Sequence, residues 1–253
     1  MPQTLIGPPP SFVLDAEARL TIERLVEADD PVDNPFSEEQ QFLLFDTIKS
    51  SYVPPTDPSR PGQRRKFWGA ANVGLFKTPT SFLVPDMFIS LDTDRPDDCM
   101  LDRAYYLFER KPPEVVVEVV SNKEGNELYS KKDTYAQWGI QYYVVYDPWC
   151  QLGDHVLQVF TLDGGRYVPL DVPFLPKLGI GVTLWTGVYV NGKERTYVRW
   201  CDEGGVPLRT GNEREADQVL RTEEEKARAD EAEKRAAALR AMLLKHGIDP
   251  GSI

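Results

Sequence analysis

The chain has 253 residues, 41% of them hydrophobic and 11% aromatic, enough to bury a core and suited to one globular domain with an appendage. Cys99, Cys150 and Cys201 are too widely spaced for a disulfide framework or a zinc knuckle, and the only histidines, His155 and His246, are too far apart for a histidine metal site. Any metal must therefore rest on carboxylates, and the net charge of −11 argues against broad polyanion binding, although residues 41–85 run against the trend at +4 and contain Arg64, Arg65 and Lys66.

The amino terminus lacks the basic start, apolar middle and cleavage site of a signal peptide, and no uncharged apolar run approaches membrane-spanning length. A soluble cytoplasmic protein with free thiols is expected. Residues 1–35 are acidic and proline-punctuated, with a short pattern around Phe12–Leu25 that fits strand or helix, and are set aside as an N-terminal extension. A helix is predicted from Ser37, where Ser37 and Gln40 form a capping box and Phe42, Leu43, Phe45 and Ile48 supply an apolar face; it ends before Pro54. After the proline-rich loop Tyr52–Gln63, Phe67–Phe76 and Ser81–Leu91 read as two strands of a hairpin or meander, and Asp92–Asp102 as an acidic loop.

Glu114–Val120 (EVVVEVV) has the near-continuous β-branched pattern of a strand covered on both faces. Asn126–Trp138 has helical spacing and stops at Gly139, and Gln141–Tyr146 is a second central strand. Strand, helix and strand at this spacing make a βαβ unit with its two strands in one sheet. Val156–Leu162 with Arg166–Leu170 around Gly164-Gly165, and Leu184–Val190 with Thr196–Trp200 around Asn191-Gly192, read as hairpins. The result is a mixed α+β, or α/β, domain over 36–209. Residues 210–253 turn abruptly to Glu, Ala, Arg and Lys, as in a long solvated helix stopped by Gly247, Asp249 and Pro250, with apolar positions too sparse for a clear heptad seam.

Three polar residues interrupt or follow the buried-type strands. Asp86 follows Pro85, Glu118 sits inside EVVVEVV, and Lys131 faces inward from the helix. A carboxylate in such a strand must be paired or cation-bound, because unpaired burial costs several kcal/mol. Two carboxylates on neighbouring strands with an ammonium nearby are the minimum for Mg²⁺-dependent phosphodiester hydrolysis. The hard cation takes oxygen ligands and activates water, while the lysine orients or deprotonates that water and offsets charge on the phosphorane.

The block Pro112–Pro148, PPEVVVEVVSNKEGNELYSKKDTYAQWGIQYYVVYDP, with Pro85-Asp86 upstream, resembles the Uma-two family of restriction endonucleases in the PD-(D/E)XK nuclease superfamily. The resemblance covers roughly residues 36–200. It implies a restriction-endonuclease-like core with a central mixed β-sheet flanked by helices, DNA as substrate, Mg²⁺ or Mn²⁺ as cofactor, and a homodimer. By resemblance Asp86 and Glu118 are metal ligands, and the backbone carbonyl of Val119 completes the shell. The superfamily's usual lysine position, two residues after the glutamate, is Val120 here. The family's alternative, a helical lysine four residues before a tyrosine, matches Lys131 and Tyr135, with Lys132 as a competing neighbour. Glu38 and Glu39 both remain open as an outer acidic ligand.

Other readings stand beside these. Glu118 and Lys131 also fit a structural ion pair, Asp86 a strand-end turn, Glu127 a first-turn helix charge, and Gly125 a backbone requirement. The five tryptophans suit cores better than base stacking, and Arg64 to Lys66 suit solvation better than phosphate contact. A nonenzymatic alternative keeps the nuclease-like core as a scaffold and uses the C-terminal helix to recruit a protein partner or a second copy.

Overall fold

The first helix, α1 (Pro35–Ser51), starts where its capping chemistry allows rather than at Ser37. Asn34 has extended backbone, its side chain accepts from the N–H groups of Phe36 and Ser37, and Pro35 occupies the first helical position, where no N–H is needed. The expected Ser37–Gln40 box does not form: Ser37 is buried inside the first turn and Gln40 reaches elsewhere. Leu43, Leu44 and Ile48 are fully buried, each contributing about 1.5–3 kcal/mol, whereas Phe42 points to the surface. The computed structural model describes residues 34–78, 80–95, 104–121, 128–190 and 192–246. The pattern around Phe12–Leu25, most of the acidic loop, Cys99, Gly125, Glu127, Asn191 and the stop at Gly247 to Pro250 lie outside them.

The expected hairpin after the proline-rich loop is broken at the same level in both arms. Strands β1 (Phe67–Ala71) and β4 (Met87–Leu91) pair antiparallel, while β2 (Leu75–Thr78) and β3 (Ser81–Leu83) pair with each other in a separate small sheet with β5 (Tyr105–Tyr106). The break in the first arm lies at Asn72, in the left-handed region at φ 52°, and in the second at Val84-Pro85-Asp86. Asn72 N–H still donates to the Asp86 carbonyl across the break.

The βαβ unit is present. Strand β6 (Val115–Val119) is buried throughout, helix α2 (Ser130–Gln137) follows, and β7 (Tyr142–Tyr146) lies parallel to β6, with Glu118 beside Val145. Helix α2 starts four residues later than the expected Asn126 and is stopped as expected by Gly139, whose φ of +80° disfavours side chains. Strands β8 (Leu157–Asp163) and β9 (Arg166–Pro169) form the hairpin around Gly164 and Gly165, both at positive φ. The central sheet has the order β1-β4-β6-β7-β8-β9 and mixes parallel and antiparallel pairs.

Alternation along these strands separates two cores. Met87, Ile89, Val115, Val117, Val119, Val144 and Tyr146 face α1 and a third sheet made of β10 (Phe174–Leu175), β11 (Ile180–Val188) and β12 (Glu194–Cys201). Phe88, Val116, Val120, Tyr143 and Val145 face α2 and the small sheet. Gln40 joins α1 to the edge of β12 by exchanging two bonds with the Val198 backbone, at 2.8 and 2.9 Å. Helix α3 (Gly211–Lys245) begins with a complete Thr210–Glu213 capping box, and no residue of it is buried. Its base is held by the ion pair of buried Arg199 with Glu213 at 2.6 Å and by Asp46 accepting from Gly211 N–H. This is a mixed α+β fold of the restriction-endonuclease-like kind.

Candidate active site at the strand ends

The register of β4 with β6 ends at Met87 with Val117, and Asp86 and Glu118 are the next residues of the two chains beyond that pair. Asp86 is tied to that end of β6 directly: its Oδ2 accepts from the Val119 N–H at 2.6 Å. Its Oδ1 accepts from the Gln41 amide of α1, and Gln41 Oε1 in turn accepts from Asn72 at 2.6 Å. A relay Asn72–Gln41–Asp86–Val119 therefore links β1, α1, β4 and β6 at one edge of the sheet. Gln41 and Asn72 carry no catalytic signature in the sequence. The only hint is a second glutamine in a helix whose first, Gln40, is already committed to β12.

Glu118, 2% exposed, points toward α2. Lys131 Nζ donates to its Oε2 at 3.0 Å and the Tyr135 hydroxyl to its Oε1 at 2.6 Å. Positions 131 and 135 lie one turn apart on one helix face, which is why the lysine and tyrosine reach the same carboxylate. Burial, and then the charge and hydrogen bond of Glu118, push the Tyr135 hydroxyl well above its ordinary range, so it remains a donor to Glu118. Lys132 points away, its ammonium 3.6 Å from the Phe160 ring centroid, and desolvation lowers its pKa. The structural ion pair considered for Glu118 and Lys131 is thus present. What it lacks as a purely structural device is any need for Asp86 across the strand.

Glu38 and Glu39 are separated by their surroundings. Glu39 is buried and accepts from the Tyr197 hydroxyl at 2.9 Å, on the side facing β12. Glu38 lines a cavity of about 330 Å³ with Gln41, Phe42, Phe45, Ala71 and Asn72, against the relay that ends on Asp86. Beyond the end of β7, Phe36, Tyr146, Trp149 and Arg195 line a cavity of about 380 Å³. Trp149 is 48% exposed there, against the expectation of core filling, whereas Trp68, Trp138 and Trp200 are buried as expected.

The basic run divides. Arg65 pairs with Asp92 at 2.7 Å and Lys66 with Asp94 at 2.8 Å. The bond from Arg65 holds the Asp92 carboxyl below its usual range, although partial burial opposes it. Only Arg64 faces an open cavity.

Among the described residues no group of three His, Cys, Asp or Glu side chains is placed to hold a metal. A divalent cation would have Asp86, Glu118, the Val119 carbonyl and water as donors. That all-oxygen set suits Mg²⁺ or Mn²⁺, which often bind through one or two carboxylates, and an ionised carboxylate retains lone pairs beyond the bonds described. No helix of the described residues is long and apolar enough to cross a membrane.

The Uma2 (Uma-two) family model, described as "Putative restriction endonuclease", matches residues 23–184. The match takes in α1, the whole central sheet, β10 and the first part of β11. No curated protein matches the chain.

Proposed function

The chain belongs to the Uma2 family, a family of restriction-endonuclease type, and from that premise we propose that it is a metal-dependent endodeoxyribonuclease whose site is Asp86, Glu118 and Lys131. The observation that carries the reading is the bond from the Val119 N–H to Asp86, which ties that carboxylate to the strand end beside Glu118, with Lys131 and Tyr135 fixing the second carboxylate. Bound Mg²⁺ or Mn²⁺ supplies a Lewis acid for the phosphate oxygen and lowers the pKa of its water. Asp86 and Glu118 would hold the cation with the Val119 carbonyl, and the bonds from the Gln41 amide and the Val119 N–H orient Asp86.

Hydrolysis adds a water oxygen to phosphorus in line with the departing sugar oxygen, breaks that P–O bond and releases one proton. Lys131 places its ammonium beside Glu118, where it orients the water and offsets charge on the phosphorane. Tyr135 is a positioning residue for Glu118. Glu38 is the outer acid, through its place on the cavity wall beside Gln41.

The test is relaxation or linearisation of supercoiled plasmid by the full chain in Mg²⁺ or Mn²⁺. Asp86→Ala and Glu118→Gln abolish cleavage while circular dichroism stays native. Cleavage by both variants at the parent rate overturns the assignment.

A second reading, a scaffold without activity that assembles through α3, draws on the exposed Val219, Leu220, Leu239, Met242 and Leu244 along that helix. Sedimentation of the full chain against a version ending at residue 210 separates the two. Loss of a dimer on truncation, with no cleavage by either form, favours the scaffold.

A further inference from the structure

A cavity of about 840 Å³ lies between the end of α1, the loop leading to β1 and the first turns of α3, and its wall carries Lys49, Arg64, Arg209, Arg214 and Arg221. Among the described residues Glu215 and Asp217 are the only carboxylates on the same wall, so five cations meet two anions in a chain whose net charge is −11. Asp217 is drawn to Arg209 at 3.4 Å, and Arg214 donates to the Ser50 carbonyl. Among the described residues Lys49, Arg64 and Arg221 form no ion pair, in contrast with Arg65 and Lys66 next along the chain. These cations come from three separate elements and converge on one cleft. An anion entering the cleft is attracted by all three.

We propose that this cleft is a docking site for the phosphate backbone of duplex DNA, distinct from the carboxylate site. The shape favours a row of phosphates over a single nucleotide. Arg214 and Arg221 stand seven residues apart on α3, about 10 Å along the axis, a length of duplex that carries about six charges. Among the described residues the wall offers no platform for a base, because Tyr52, the one aromatic ring there, is buried with its hydroxyl on the Leu178 carbonyl. The cleft adjoins the Phe67 end of β1, where Tyr52 meets Phe67, whereas Asp86 adjoins the Ala71 end. A strand of that length spans about 16 Å, so a duplex contacting the cleft does not thereby occupy the carboxylates. The cleft's need for a polyanion is independent of the nuclease reading; the choice of DNA rests on it.

The test is fluorescence anisotropy of a labelled 20-base-pair duplex with the full chain in EDTA, titrated with salt. The parent binds at low salt, and Arg64→Glu with Arg221→Glu weakens binding about tenfold or more and reduces the slope of log affinity against log salt by about 2. Arg166→Glu with Lys193→Glu makes the same charge change at exposed positions outside the cleft and leaves affinity within about twofold of the parent. EDTA withholds the cation that the carboxylates would need, so this binding is read apart from cleavage. The proposal is overturned if the parent does not bind, if both charge-reversed pairs lose affinity equally, if tripolyphosphate displaces the duplex at matched phosphate concentration, or if an RNA duplex binds more tightly through the same arginines.

Discussion

The pair of Glu118 and Lys131 separates catalysis from stability in one double-mutant cycle. Removing one partner of a deeply buried ion pair costs about 3–5 kcal/mol, because the other charge is left without compensation. Lys131 keeps 28% of its side chain exposed, so solvent offsets part of that cost, and the Tyr135 hydroxyl still serves Glu118. Lys131→Met should therefore destabilise by about 1–2 kcal/mol. Glu118→Gln keeps an amide oxygen for Tyr135 and frees Lys131 to turn to water, at about 1 kcal/mol. The double variant removes both charges and should cost no more than about 1 kcal/mol, which makes the coupling about 1–3 kcal/mol. Urea unfolding followed by tryptophan fluorescence gives the three differences at constant m. The same preparations enter the plasmid assay, where all three should be inactive. A double variant that still cleaves refutes the role of the pair in catalysis, and strict additivity refutes the contact itself.

The cap of α1 and the root of α3 yield two further tests. Asn34→Ala removes both cap bonds and should cost about 1 kcal/mol, whereas Ser37→Ala should cost about zero because its buried hydroxyl has no partner among the described residues; equal losses in urea unfolding would refute this assignment. Desolvation raises the pKa of Glu213, but the bonds from Arg199 and from Thr210 N–H outweigh it and leave the carboxyl below its ordinary value of 4.5. A depressed folded-state pKa means that this stabilisation is complete above 4.5 and fades as pH falls below it. Glu213→Gln should lose about 2 kcal/mol at pH 7, since Arg199 is buried, and show a shallower acid loss than the parent; parallel acid profiles in urea unfolding would count against the linkage.

Much of this protein is legible in its sequence. The β-branched run Glu114–Val120 announced a strand with two buried faces, Gly139 the end of α2, and Gly164-Gly165 a hairpin, because each rests on local backbone and burial preferences. Glu118 stood out for the same reason: a charge within an apolar strand demands a partner wherever the strand lies. The cap of α1 lies three residues before the expected Ser37 because Ser37 and Asn34 are both competent caps, and only the burial of Ser37 decides between them. The hairpin through Phe67–Leu91 read as continuous because neither Asn72 nor Pro85 forces a change of sheet by itself. They do so when the two breaks face each other across one ladder.

The site follows the same division. Residue chemistry and motif order singled out Asp86, Glu118 and Lys131 as a set, but their sequence separation holds no distance. Tertiary structure alone tied Asp86 to the strand end beside Glu118, turned Lys131 rather than Lys132 onto the carboxylate, and drew Gln41 and Asn72 into the relay. It also redistributed the charge. Arg65 and Lys66 look free in sequence and are matched by Asp92 and Asp94, residues brought beside them by the pairing of β1 with β4. The cations that remain around Arg64 come from α1, a loop and α3. Local preferences act over a few residues and are written in the chain, whereas a charge's environment depends on which distant segments pack around it.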